Sequence, residues 1–458
     1  MLGITRAVGF DRKYPVFALR SILSACLLSL PLATSAQALD LPDPLSLDDF
    51  LTFDAKQVEL SQLLFYDKVL SGNKNIACAT CHHHDFNSTD GVSLGIGEGG
   101  TGLGKQRSAG VGANRILERV PRNAPGLWNL GHRDVHVMFH DGRVETSDDF
   151  GNGFRTPAWI FLPKGLNSPL AAQALFPMTS ETEMAGQPGE NAIAGAAYEG
   201  AHYVWPLVTE RIRNIDAYVP LFVEAFEHVK QTSDITIVEI ANAIAAFEAT
   251  EFQNFDSPFD KYLQGQEDAL SAAQKRGMAL FYGEAGCSGC HAGPLLSDQS
   301  FRALALPPFG PGQTLLTDPI ARDVGRLAVS DAPDDAYRFR VPFLRNVALT
   351  APYGHNGAMP TLDAMVRHHF TPRESNAHWR REMAVLPEVP WLANTDFALR
   401  ENEAENTRIL ANIDIDLSSV SDEEIADIIA FLHALTGETA LERPMGRPES
   451  VPSGLPVD

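Results

Sequence analysis

Three observations predict a mostly α-helical fold built from two similar halves with long loops. A short cysteine–histidine motif occurs twice, as Cys78-Ala-Thr-Cys-His82 and Cys287-Ser-Gly-Cys-His291. A second pattern follows each copy: Pro125-Gly-Leu127-Trp-Asn129 then His140-Asp-Gly142, and Pro342-Phe-Leu344-Arg-Asn346 then His355-Asn-Gly357. Apolar residues at helical spacing lie between and after these motifs, while other stretches are rich in glycine and proline.

C-x-x-C-H is the attachment signature of c-type haem. Two thiols form thioethers to the porphyrin, and the adjoining imidazole becomes the proximal iron ligand. The two copies use four of the five cysteines. A zinc site and a redox disulfide are the alternatives. The motifs imply two covalently attached haems, with Cys78, Cys81 and His82 holding one and Cys287, Cys290 and His291 the other. The expected architecture is therefore two cytochrome c-like haem domains related by pseudo-two-fold symmetry. Expected boundaries are 1–38 for a signal peptide, 39–262 for the N-terminal haem domain, 263–437 for the C-terminal haem domain and 438–458 for a tail.

The chain opens with an export pattern. Arg12, Lys13 and Arg20 precede the apolar run 21–30, and Ala36-Gln37-Ala38 supplies a cleavage site. Cys26 lies inside this segment, where Leu23-Ser-Ala-Cys26 also resembles a lipoprotein box. Export predicts a periplasmic protein, which suits covalent haem attachment. No later apolar stretch reaches the roughly 18 residues of a membrane span.

Residues 88–113 are glycine-rich and read as loop, as do residues 302–319 with their prolines. Ile237, Ile240, Ala241, Ile244 and Phe247 mark a helix within 235–252. Ser271-Ala-Ala-Gln274 and Ser421-Asp-Glu-Glu424 are capping boxes opening two more. The last carries Ile425, Ile428, Ile429, Leu432 and Leu435 on one face and is expected to stop at Gly437. Trp128 and Trp159 read as core residues. The proline-bearing tail is expected to wrap the surface or fray.

The formal net charge is −22, and removing the basic segment 1–38 leaves about −25. Such a chain is not expected to bind nucleic acid. A basic redox protein would be steered toward it.

Phe139-His-Asp-Gly-Arg143, Gln173…Pro177…Glu183-Met184, Ser257-Pro-Phe-Asp260, residues 342–353 and Phe431-Leu-His-Ala-Leu-Thr-Gly437 together resemble the bacterial di-haem cytochrome c peroxidase / MauG superfamily. The resemblance implies an N-terminal haem that meets hydrogen peroxide and a C-terminal haem that stores or relays electrons. Glu183, with Pro177 six positions earlier and Gln173 ten earlier, keeps the spacing of the family's distal acid–base group. Splitting the O–O bond needs a group that takes a proton from one oxygen and gives one to the other. The register after Thr361-Leu-Asp-Ala-Met-Val366 puts His369 at the sixth-ligand position of the second haem, with His368 and Met365 as competitors. No histidine lies between Asp85 and His132, so the first haem is expected to be five-coordinate or water-bound at rest. The resemblance further implies an inter-domain calcium held by Asn123, Thr350 and Pro352. His140 stands where relatives often carry a tryptophan relay between haems.

The leading expectation is a periplasmic peroxidase fed by a small redox protein such as a cytochrome c or cupredoxin. The alternative is a MauG/MbnH-like enzyme that oxidises side chains of a partner protein. The second alternative is a non-catalytic di-haem electron carrier, which would have no need of the Glu183, Pro177 and Gln173 set.

Overall fold

The computed structural model describes residues 39–112, 115–313, 318–442 and 445–458. The expected signal peptide, with Cys26, lies outside the described residues. The fold is mostly helical, with one three-stranded and one two-stranded antiparallel sheet of very short strands. Among the described residues no helix is long and apolar enough to cross a membrane.

The helix Ile237–Glu251 is opened by a capping box between Thr236 and Glu239. It packs on the helix Ala55–Tyr66, and Phe65, Phe247 and Phe252 form an aromatic cluster there, with Phe65 and Phe247 at 5.0 Å. This is the centre of the larger apolar core. A second core is built on Ala272–Phe281 and Asp422–His433, each started by the expected Ser capping box. These two helices approach so closely that a Cβ on Gly277 would strike the Asp427 carbonyl. Phe259, Phe281 and Phe431 fill the space beside them. The helix Asp422–His433 ends short of Gly437, whose amide donates to the Asn346 side chain at 2.9 Å.

The repeated asparagines meet at the middle of the molecule. Asn129 and Asn346 both adopt left-handed backbone, φ +59° and +60°. Asn129 binds the Asn254 backbone through both ends of its amide, at 2.7 and 2.8 Å. Asn254 and Asn346 exchange two amide hydrogen bonds, each 3.0 Å. All three are buried. A chain of reciprocal amides therefore ties together the equivalent turn of each half.

The tail does not fray. It returns to the N-terminal core, where Ala440 and Val451 are buried. Met445 and Gly446 donate backbone N–H groups to Glu251, and Ser453 donates to Asp67. Asp458 accepts from Lys68 and from Thr80, the residue inside the first cysteine motif. Trp128 is buried as expected, but Trp159 is 66% exposed. Its turn, Trp159–Phe161, projects from the surface, and Phe161 stacks on His202 instead of entering the core.

Asn254→Ala leaves the Asn346 amide nitrogen buried without an acceptor, so it is expected to cost about 1–3 kcal/mol. Asn254→Ala combined with Asn346→Ala should cost less than the sum of the two single changes, because they share the same pair of bonds. Guanidinium unfolding midpoints check both outcomes.

Candidate haem and peroxide site

One continuous cavity runs through the molecule and is lined by both cysteine motifs. Cys78–Cys81 is a single helical turn, and Cys287–Gly289 is a 3-10 turn in the equivalent place. Among the described residues no disulfide joins any two of the four cysteines. Burial pushes the Cys81 and Cys287 thiols up to about 12 and Cys78 higher still. Such thiols are poor thiolates, which disfavours disulfide exchange. Among the described residues no group of three His, Cys, Asp or Glu side chains is placed to hold a metal ion. A neutral thioether suits these positions.

The two proximal rings are held in the same way. His82 Nδ1 donates to the Ser88 carbonyl at 2.9 Å, and His291 Nδ1 to the Leu296 carbonyl at 3.0 Å. The carbonyls of Pro125 and Pro342, the prolines of the repeated motif, act on the same two rings. A carbonyl only accepts, so the proton is on Nδ1, and Nε2 keeps its lone pair for the cavity. Burial lowers both rings' pKa, His291 to about 4, so both are neutral.

Beyond the proximal rings the halves differ. His369 Nδ1 donates to the Met365 carbonyl at 2.8 Å, and its ring centroid lies 6.3 Å from that of His291. That spacing admits one metal between two nitrogens at about 2 Å each. His368 cannot compete, because it is fully buried with Nδ1 on Ser375 at 2.9 Å and Nε2 on the Leu304 carbonyl at 2.8 Å. Among the described residues no imidazole is in ring contact with His82 in this manner. Gln173, Pro177 and Glu183 line the same cavity, and the Glu183 charge acts on the Cys81 thiol of the His82 motif.

Gln173 is on the short helix Pro169–Ala174, and Pro177 opens the next 3-10 turn. Glu183 sits in a single π turn, 181–185, closed by Gly186 at φ +87°. Turns of this kind occur disproportionately at functional sites. Burial raises the Glu183 pKa above the ordinary range, against the pull of Arg143, a Ser180 hydrogen bond and Arg122. Glu183 is thus a carboxyl that accepts a proton more readily than one in water.

A charged cluster built on Arg122 adjoins the cavity. Arg122 bridges Asp141 at 2.6 Å and Asp323 at 2.7 Å, and Asp141 also meets Arg143 at 3.2 Å. Burial opposes the charge of Asp141, but these arginines hold its carboxyl well below the usual range. His140 Nε2 donates to the Asn123 carbonyl at 3.1 Å, and burial with the Arg122 charge lowers it to about 4. His355, its repeat equivalent, lies flat on Phe339 with centroids 3.6 Å apart. Neither sequence motif signalled Arg122, whose partners are 19 and 201 residues away.

Asn123, Thr350 and Pro352 all line the cavity. The Asn123 amide nitrogen donates to the Val92 carbonyl at 2.8 Å, which leaves its oxygen for another partner. The Thr350 hydroxyl donates to the Val347 carbonyl at 3.2 Å.

A family model described as di-haem cytochrome c peroxidase matches residues 55–268. The cytochrome c peroxidase Ccp of Escherichia coli is 33% identical over 318 residues, which span 69% of this chain but only 53% of that protein. The chain thus covers about half the length of this relative. Cytochrome c551 peroxidase of Pseudomonas aeruginosa is 32% identical over 306 residues, 66% of this chain and 68% of that one. Among solved structures, a MauG-like protein associated with microbial copper homeostasis superposes with TM-score 0.55 at 25% identity, covering 91% of this chain and 97% of that one.

Proposed function

Because the chain is an oxidoreductase of the di-haem cytochrome c peroxidase family, we propose that it reduces hydrogen peroxide in the periplasm, cleaving the O–O bond in the N-terminal pocket with electrons supplied through the C-terminal one. The observation that carries this reading is the inequality of the two pockets. His291 faces a second imidazole across 6.3 Å, while Glu183, on the same cavity as Gln173 and Pro177, acts by its charge on Cys81 of the His82 motif.

When bound, the two haems would supply the redox chemistry. Cys78, Cys81 and His82 would hold one of them, and Cys287, Cys290, His291 and His369 the other. Glu183 takes the proton from the inner peroxide oxygen and delivers it to the leaving one. The Gln173 amide orients the peroxide by hydrogen bonding, and Pro177 fixes the backbone between them. His140 is neutral and committed to Asn123, so its part is to support the wall between the pockets.

Electrons come from a small redox protein, a cytochrome c or cupredoxin, steered by the acidic surface. A second reading, oxidation of a partner protein's side chains, is favoured by the bis-imidazole arrangement and by the MauG-like structural neighbour. The exposed Trp159, Ile160 and Phe161 offer an apolar contact to a protein partner in either case.

Glu183→Gln is expected to lower the second-order rate of peroxide reaction by about 10²–10⁴-fold with haem content unchanged. Glu183 begins as a base, so the wild-type rate should fall as pH drops through its raised pKa, and stopped-flow mixing with peroxide reads this directly. Calcium held by Asn123 and the carbonyls of Thr350 and Pro352 would fasten the two halves together. Chelation is expected to lower the melting temperature reversibly, and Asn123→Ala to remove that response.

A further inference from the structure

Glu248 is a buried acid that the chemistry above does not use. It lies on the last turn of the Ile237–Glu251 helix and extends the row Ile240, Ile244 by one more step of four, which turns it inward. It is 5% exposed and lines the cavity beside Cys78, on whose thiol its charge acts. Its Oε2 has no hydrogen-bond partner. Three residues on, Glu251 is equally buried yet accepts from His84 and from the Met445 and Gly446 amides. The contrast is informative: one glutamate is held as a structural anion, while the other is left without donors. Burial alone raises Glu248, to about 8.

The charged groups on the helices packed against it are engaged elsewhere. Lys56 pairs with Glu59 at the surface. Arg211 donates to the Ser71 and Gly72 carbonyls, and Arg213 to those of Ile235 and Ser233. Cys78 ceases to titrate once it is a thioether. The nearest comparable acid in the cavity is Asp90, raised to about 7, but it accepts from the Val92 amide and feels Arg107.

A desolvated carboxyl without donors is neutral until positive charge appears beside it. The group attached at Cys78 gains one positive charge each time it loses an electron. We propose that Glu248 is the redox-linked proton site of the N-terminal haem pocket. Its O–H bond forms, with a proton from solvent, as the haem held by Cys78 and Cys81 gains an electron, and breaks as that electron leaves. Two electrons and two protons are consumed for each peroxide reduced to water, so this coupling brings charge and proton in together. The inference rests on haem attachment at Cys78 and Cys81 and does not depend on which oxidation the enzyme performs.

The test is a spectroelectrochemical titration of both haems in the intact holoprotein between about pH 6 and pH 9, with haem content checked by mass. In the wild type the redox equilibrium of the N-terminal haem should shift toward oxidation by up to about tenfold per pH unit over this window. Glu248→Gln should flatten that dependence and leave the C-terminal haem as it was. Glu183→Gln and Asp90→Asn should keep it. A wild-type slope in Glu248→Gln, or its loss in Asp90→Asn instead, overturns the proposal. If Glu248→Gln does not load haem, the reduced-minus-oxidised infrared spectrum of the unmodified protein decides. A protonated-carboxyl C=O band that grows on reduction supports the proposal, and its absence refutes it.

Discussion

Everything in this molecule depends on how a buried imidazole is made to present one nitrogen. His82, His291 and His369 each donate Nδ1–H to a backbone carbonyl, at 2.9, 3.0 and 2.8 Å. The carbonyl fixes the tautomer, and burial keeps the ring neutral, so a lone pair faces the cavity. The three rings share this device, but their surroundings differ. Two of them face one another, and the third shares its pocket with an acid, an amide and a proline. One local rule is repeated three times, and two of the three rings are paired with each other.

The halves are joined by contacts between residues far apart in the sequence. The Asn129–Asn254–Asn346 chain links equivalent turns, and Arg122 draws Asp141 and Asp323 together from distant parts of the sequence. The tail adds a third tie, binding Glu251, Asp67 and Thr80 around the first cysteine motif. These links place both cysteine motifs on one cavity. Buried pairs of this kind fix geometry more than they add stability, since each charge loses hydration to be there.

Local signals made much of this legible in the sequence. The C-x-x-C-H spacing picked out four cysteines and two histidines that the fold brings to one cavity, and the Ser271 and Ser421 boxes set two helix starts, because capping is a matter of three or four adjacent residues. His369 was distinguishable from His368 only by register, and the physical reason appears in space: both nitrogens of His368 are already bonded. Trp159 reads as core by composition but sits on a turn that leaves the surface. The Arg122 cluster and the return of the tail join residues up to 390 positions apart, for which no periodicity exists. Glu248 did leave a trace, an acid falling on an apolar helical row between Ile244 and Glu251, where a solvated residue has no place.

The inequality of the two iron positions is the central claim, and the electron paramagnetic resonance spectrum of the resting diferric protein addresses it most directly. The account predicts one high-spin ferric signal, from the position ligated by His82, and one low-spin signal, from that between His291 and His369. Loss of the low-spin signal in His369→Ala, with the high-spin signal kept, would assign them. Two low-spin signals in the wild type, neither altered by peroxide, would contradict it and leave a carrier of electrons in place of an enzyme.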